Sequence, residues 1–211
     1  GQHDEAEFRL LKIRQHDAGM SVQSEIGGRK LTFEMQMHGV HWAQNALGIL
    51  ACVEGLGLDF DAAAAHLVSC PTPKGRGTRV SGHYRQRAIT IIDDSYNASP
   101  ASMNAAFASI TATPPTIMIL SEMRELGMAT AAEHNALMPK INTLSPRLFI
   151  ALGPAMHDAI SKLDNSIASF TAADTAAALE IFDANIKDGD VVFIKGSLGS
   201  GSWQVRDAIL S

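Results

Sequence analysis

A chain of 211 residues, 46% hydrophobic and 18% charged, is long enough for one large or two modest globular domains with a real core. Its net charge of −5 excludes the basic surface that neutralises phosphates, so no nucleic-acid partner is expected. No apolar run reaches the ~20 residues that span a bilayer, and the first residues are polar, unlike a signal peptide, so the chain reads as cytoplasmic without membrane insertion.

Residues 1–38 read as β structure. Phe8 to Ile13 and Ser21 to Ile26 are strand candidates, and Leu31, Phe33, Met35 and Met37 alternate with polar residues as a half-buried strand does. Gly27-Gly28 supplies a tight hairpin turn. A helix follows Gly39-Val40-His41, with Trp42, Ala46, Ile49, Leu50 and Val53 predicted on its buried face and Gly55 and Gly57 ending it. Asp59 or Asp61 caps a second helix through Ala62 to Val68. Cys52 and Cys70 are too few for a disulfide framework, and Cys52, inside an apolar helical run, is expected to be a buried thiol. The run Cys70 to Thr78 holds two prolines and two glycines with little to bury, which marks it as the boundary between two domains.

Beyond Arg79 strands and helices alternate. Strands are predicted at Ala88 to Ile92, Thr116 to Leu120, Arg147 to Leu152 and Val191 to Ile194, with a weaker one at Ser166 to Phe170. Helices are predicted at Pro100 to Ile110, Ala129 to Ile141, Pro154 to Leu163, Asp174 to Asn185 and Ser202 to Leu210. The pattern implies α/β architecture with a doubly wound, mostly parallel sheet. Ser99 is placed to cap the helix that Pro100 begins.

In such a sheet the loops after the strands share one edge, where ligands bind. Those loops are Asp93-Asp94-Ser95-Tyr96-Asn97, Ser121 to Gly127, Gly153-Pro154 and Lys195 to Ser202. Carboxylates beside a lysine, serines and glycine amides suit an anionic or zwitterionic ligand. No G-x-x-x-x-G-K-[S/T] phosphate loop, G-x-S-x-G elbow or H-E-x-x-H pair occurs, and the eight histidines, His134 among them, show no metal-ligand spacing. Plainer readings exist for several residues: His41 as a helix cap, Tyr96 as packing, and Glu122, Arg124 and Glu125 as a surface ion cluster.

Read together, these loops closely resemble the Mur ligases. Asp93-Asp94-Ser95-Tyr96-Asn97-Ala98-Ser99-Pro100 with Ser102-Met103 is similar to the family signature, although Ser99 stands where asparagine is frequent. Gly39-Val40-His41-Trp42-Ala43-Gln44-Asn45-Ala46-Leu47 resembles its G-x-H-x-x-x-N-x-L helix start, and Gly75-Arg76 its linker arginine. Met123-Arg124-Glu125-Leu126-Gly127 resembles its M-x-E-L-G loop, and Lys195-Gly196-Ser197 its late K-G-S. The likeness is greatest to members that join D-alanyl-D-alanine to UDP-N-acetylmuramoyl-tripeptide.

The resemblance implies that residues 1–73 are the C-terminal portion of a central ATP-binding domain, a small sheet plus two helices, and that residues 74–211 are a C-terminal Rossmann-like ligase domain. The phosphate loop, a magnesium-binding acid and a modified lysine would lie upstream, leaving this chain no metal ligand of its own and no activity alone. The implied cofactors are ATP and Mg2+, the implied assembly a monomer, and the implied reaction runs through an acyl phosphate in cell-wall synthesis. By the same resemblance His41, Asn45, Asp94, Tyr96 and Asn97 bind nucleotide, and Arg76 reaches its phosphates. Glu122, Arg124, Glu125, Lys195 and Ser197 face the incoming dipeptide, Lys195 suiting its carboxylate and Glu125 its ammonium. Arg76 and Lys195 are the candidate catalytic cations. Two other readings stay open: a stand-alone, non-catalytic module binding a nucleotide or dipeptide, and a related ligase for another amino acid.

Overall fold

A computed structural model describes residues 1, 3–16, 18–111 and 114–211, and positions 2, 17, 112 and 113 lie outside that description. The chain divides into two compact units, Gly1–Thr72 and Pro73–Ser211.

The first unit is an antiparallel sheet of β1 (Phe8–His16), β2 (Gly19–Ile26) and β3 (Arg29–Met35), packed on α1 (Val40–Gly55) and α2 (Phe60–His66). The turn at Gly27-Gly28 joins Ile26 to its partner Arg29, and the Asp59 carboxylate caps α2 by accepting the Ala62 amide at 3.0 Å. The α1 register differs from expectation. Its buried stripe is Ala43, Ala46, Leu47 and Leu50, while Ile49 is 56% exposed and the Cys52 thiol, expected inside, is exposed. Both stripes satisfy helical spacing, and the one with two alanines shares a core cluster with Met20, Val22 and Phe33.

The second unit is a six-stranded sheet in the order β4-β5-β9-β6-β7-β8. Its strands are β4 (Thr78–Tyr84), β5 (Arg87–Asp94), β6 (Ile117–Ser121), β7 (Leu148–Leu152), β8 (Ala168–Ala172) and β9 (Asp190–Lys195). All neighbours from β5 to β8 are parallel, and β4 alone runs antiparallel, in a hairpin with β5. Helices α3 (Pro100–Ile110), α4 (Thr130–Asn135), α5 (Met138–Leu144), α6 (Pro154–Ala159), α7 (Thr175–Asn185) and α8 (Ser202–Leu210) complete it. Met103, Phe107, Ile141 and Met156 build the core on one face of the sheet, and Ala178, Phe182, Val205 and Ile209 the core on the other. Burying a side chain such as Phe182 completely stabilises by about 2–3 kcal/mol relative to exposure.

Three elements depart from the sequence reading. β4 was not expected: it is an edge strand, its sequence Thr-Arg-Val-Ser-Gly-His-Tyr is mostly half-buried or exposed, and its turn, Arg85-Gln86, carries no glycine. The single helix expected over 129–141 is two, because Pro139 has no amide to donate back along the helix, so α5 restarts with it in its first turn. The helix from Pro154 ends at Ala159 and runs on as a 3-10 turn, Ile160–Lys162. Among the described residues no helix is long and apolar enough to cross a membrane.

Candidate functional site

The strand order determines where side chains meet. The chain leaves β5, passes over to β6, β7 and β8, and returns as β9 between β5 and β6. The loops after β5, β9 and β6 are therefore neighbours at the carboxyl edge, where the winding reverses. In the parallel register Lys195, last in β9, faces Asp94, last in β5, and Leu120 of β6.

The loop after β5 is built on two aspartates with separate tasks. Asp93 is buried; its Oδ1 accepts the Ser95 amide at 3.1 Å and the Ser95 hydroxyl at 2.6 Å, and its Oδ2 pairs with the Arg206 guanidinium of α8. Asp94 turns toward the edge, with Oδ2 2.8 Å from Lys195 Nζ. Lys195 is 2% exposed and also donates to the Asn97 carbonyl at 2.8 Å. Burial lifts the Asp94 carboxyl above its ordinary value; Lys195 draws it back, Asp93 pushes it up again, and Arg76 draws it down. Beyond the loop Ser99 caps α3 by accepting the Ser102 amide at 3.3 Å, and the Ser102 hydroxyl accepts the Ser99 amide.

Arg76 is held to this loop. The Tyr96 amide donates to the Gly75 carbonyl at 3.0 Å and the Gly77 amide to the Asp93 carbonyl at 2.8 Å, so the chain is tied on both sides of Arg76. Gly75 has φ +75°, and a Cβ there would stand 2.9 Å from the Tyr96 nitrogen, so only glycine lets the two backbones meet. The Arg76 guanidinium lies 4.2 Å from the centroid of the half-exposed Tyr96 ring. Asn97 turns its Oδ1 onto the Ala98 amide at 2.9 Å. Arg76, Asp94, Tyr96, Asn97 and Lys195 thus form one cluster, while His41 and Asn45 lie exposed on the first two turns of α1 in the other unit, with the His41 ring against Trp42.

The loop after β6 borders a cleft of about 300 Å³ whose walls include Glu122, Arg124, Gly153, Asp174, Thr175 and the Gly199–Gly201 turn. Glu122 points one carboxylate oxygen at the Ala155 amide, 3.5 Å away, and the other at Arg124 Nε, 3.8 Å away. Glu125 is exposed, with φ +65°. Lys195 and Ser197 do not line this cleft. Instead Ser197 bridges the two loops: its hydroxyl donates to the Ala98 carbonyl at 3.4 Å and accepts the Arg124 amide at 3.0 Å. Gly196 makes the approach possible, because a Cβ there would fall 1.5 Å from Ser121 Oγ.

Sequence reasoning did not find Asp174 and Thr175, which reach the cleft from the start of α7, nor Gln204 of α8. Asp174 also caps α7, accepting the Ala177 amide at 2.9 Å, and a capping aspartate after a weak strand was the only signal available. Two carboxylates, a guanidinium and a glycine-rich turn around one hollow suit a small zwitterion carrying an ammonium and a carboxylate. Among the described residues no three His, Cys, Asp or Glu side chains converge on one point.

The family model described as "Mur ligase, glutamate ligase domain" matches residues 75–198. The UDP-N-acetylmuramoyl-tripeptide–D-alanyl-D-alanine ligase of Treponema pallidum is 30% identical over 165 residues, covering 75% of this chain and 35% of that protein. The ligase of the same name from Mycobacterium tuberculosis H37Rv is 29% identical, covering 99% of this chain and 43% of that protein. Among solved structures, MurF from Acinetobacter baumannii superposes with TM-score 0.82 at 21% identity, covering 99% of this chain and 46% of that one. MurF ligase from Thermotoga maritima, in complex with ADP, superposes with TM-score 0.76 at 19% identity, covering 98% and 46%. At those identities the structures bear on the fold alone. The chain spans less than half the length of each of these relatives.

Proposed function

The chain belongs to the Mur ligase family, and from that premise we propose that its protein is the ATP-dependent ligase joining D-alanyl-D-alanine to UDP-N-acetylmuramoyl-tripeptide in peptidoglycan synthesis. One observation carries the reading: the turn from Lys195 to Gly201 holds Asp94 at one end and walls the Glu122–Arg124 cleft at the other. A nucleotide side and an acceptor side thus share a single loop. The reaction takes place in the cytoplasm, with the enzyme acting as a monomer.

In this reading ATP activates the tripeptide carboxylate as an acyl phosphate, and the dipeptide amine then attacks it. Asp94 accepts from ribose hydroxyls, with Tyr96 and Asn97 around the nucleotide and Arg76 reaching its phosphates. Lys195 is buried on Asp94 and the Asn97 carbonyl, which supports a role acting through the nucleotide loop rather than directly on the dipeptide. Arg124 and the amides of the Gly199–Gly201 turn take the dipeptide carboxylate, and Glu122 with Asp174 takes its ammonium. Glu125 is exposed and does not line the cleft, so it takes no part in this reading. Magnesium screens the phosphates in such reactions, and no step is assigned to it through these residues.

Calorimetry on the 211-residue chain tests the two sides separately. Arg124→Met should weaken D-alanyl-D-alanine at least tenfold while leaving ADP unchanged, and Asp94→Asn should do the reverse. With no phosphate loop in its 211 residues, the chain should release no phosphate from ATP. Sustained turnover, or dipeptide affinity indifferent to Arg124, overturns the reading.

A further inference from the structure

The histidines of this chain show no metal-ligand spacing, yet one of them is wholly buried beside the acceptor cleft. We propose that His134 is a positioning residue, whose imidazole sets the backbone between Glu122 and Arg124 and so fixes the spacing of the two charges that grip the acceptor. The inference rests on the acceptor reading of that cleft.

The hydrogen-bond inventory of the loop supports it. The Glu122 amide donates to the Leu152 carbonyl at 3.1 Å, and the Glu122 carbonyl accepts the Ser197 amide at 3.3 Å. The Arg124 amide donates to Ser197 Oγ at 3.0 Å. Between them the Met123 amide donates to His134 Nε2 at 2.9 Å. Three successive amides are thereby satisfied, one by the end of β7, one by the Ser197 hydroxyl and the middle one by a ring from α4. A buried amide left unpaired carries its full desolvation penalty, so without the ring this peptide unit would turn to find water, carrying Glu122 and Arg124 with it.

The same contacts settle the form of the ring. A backbone N–H can only donate, so Nε2 accepts and carries no proton. The Thr130 carbonyl, 2.7 Å from Nδ1, can only accept, so Nδ1 carries the proton. His134 is 0% exposed and belongs to the six-residue α4, which packs against α6 beside Gly153 and Pro154 at the far wall of the cleft. A leucine would fill such a space as well; the imidazole supplies an acceptor that a leucine lacks.

Long-range proton–nitrogen spectra of the 15N-labelled 211-residue chain should show a pyridine-type Nε2 and a pyrrole-type Nδ1 for His134. Calorimetry with D-alanyl-D-alanine and with ADP then compares His134→Phe, which keeps the ring but removes the acceptor, with His134→Gln, whose Oε1 can replace Nε2. The phenylalanine variant should lose at least tenfold in dipeptide affinity and lose exchange protection at the Met123 amide. The glutamine variant should come within threefold of the unaltered chain, and ADP affinity should stay constant in both. A proton on Nε2, undiminished dipeptide affinity in His134→Phe, or no recovery in His134→Gln overturns the proposal. If the unaltered chain binds no dipeptide, the acceptor reading falls, and the Nε2 signal with Met123 exchange still decides whether His134 sets the loop.

Discussion

Replacing Lys195 with methionine keeps most of its apolar stem and deletes a buried charge, which makes it the sharpest perturbation of the nucleotide loop. In the native fold the ammonium is 2% exposed and sits 2.8 Å from both Asp94 Oδ2 and the Asn97 carbonyl. Removing one partner of a buried pair costs about 3–5 kcal/mol, because the other charge is left without compensation. The Asp94 side chain keeps 19% of its surface in water, so the low end applies, about 3 kcal/mol. Adding Asp94→Asn removes the stranded charge and should recover about 2 kcal/mol of that loss, a coupling that a double-mutant cycle isolates. The two tryptophans, Trp42 and Trp203, fall in different units, so Trp203 fluorescence in a Trp42→Phe background reports the second unit alone. With a urea slope of about 2 kcal/mol per molar, Lys195→Met should lower the midpoint by about 1.5 M. A shift smaller than about 0.25 M, or a double variant lying at the sum of the single ones, would refute the account of Lys195 as the buried partner of Asp94.

Other consequences are open to the same titration. Burial raises Asp94 above its unfolded value of 3.8, so just above that pH the native state holds the extra proton. Its contribution to stability is full below 3.8 and is lost as pH rises through the folded value. The advantage of the unaltered chain over Asp94→Asn should therefore shrink as pH increases from there, and an advantage that grows would reverse the sign of the argument. Gly196→Ala drives a methyl into Ser121, with Oγ at 1.5 Å and Cβ at 2.7 Å, and should cost about 3 kcal/mol; Ser121→Gly in the same chain should restore most of it. Arg206→Met leaves Asp93 buried and unpaired and should cost about 4 kcal/mol, with the loss of exchange protection centred on the Ser95 amide that Asp93 accepts.

Much of the second unit was legible because its local signals agree with one another. The runs at Ile117–Ser121 and Leu148–Leu152 are buried at every position, as central parallel strands require, and Ser99 and Pro100 start α3 as their chemistry dictates. The failures share a cause. β4 has a single neighbour and little apolar sequence, so only its pairing with β5 reveals it. In α1 two stripes had equal helical spacing, and the sheet beneath, not the periodicity, selected Ala43 and Leu47 over Ile49. Asp174, Thr175 and Gln204 carry no motif and reach the cleft from the starts of α7 and α8. His134 carries no motif, flanked by Glu133 and Asn135, and its contact with the Met123 amide eleven positions away is made only by the fold.

The amino-acid order by itself determined which segments become strands and helices in the second unit, which loops are polar, and which family these loops resemble, since all of that rests on contacts within a few residues. Only the tertiary structure decided that β9 lies between β5 and β6, so that Lys195 meets Asp94 and Ser197 spans the two loops. Strand order is chosen by which helix faces can be buried together, a free energy summed over residues a hundred positions apart, and no local pattern contains it.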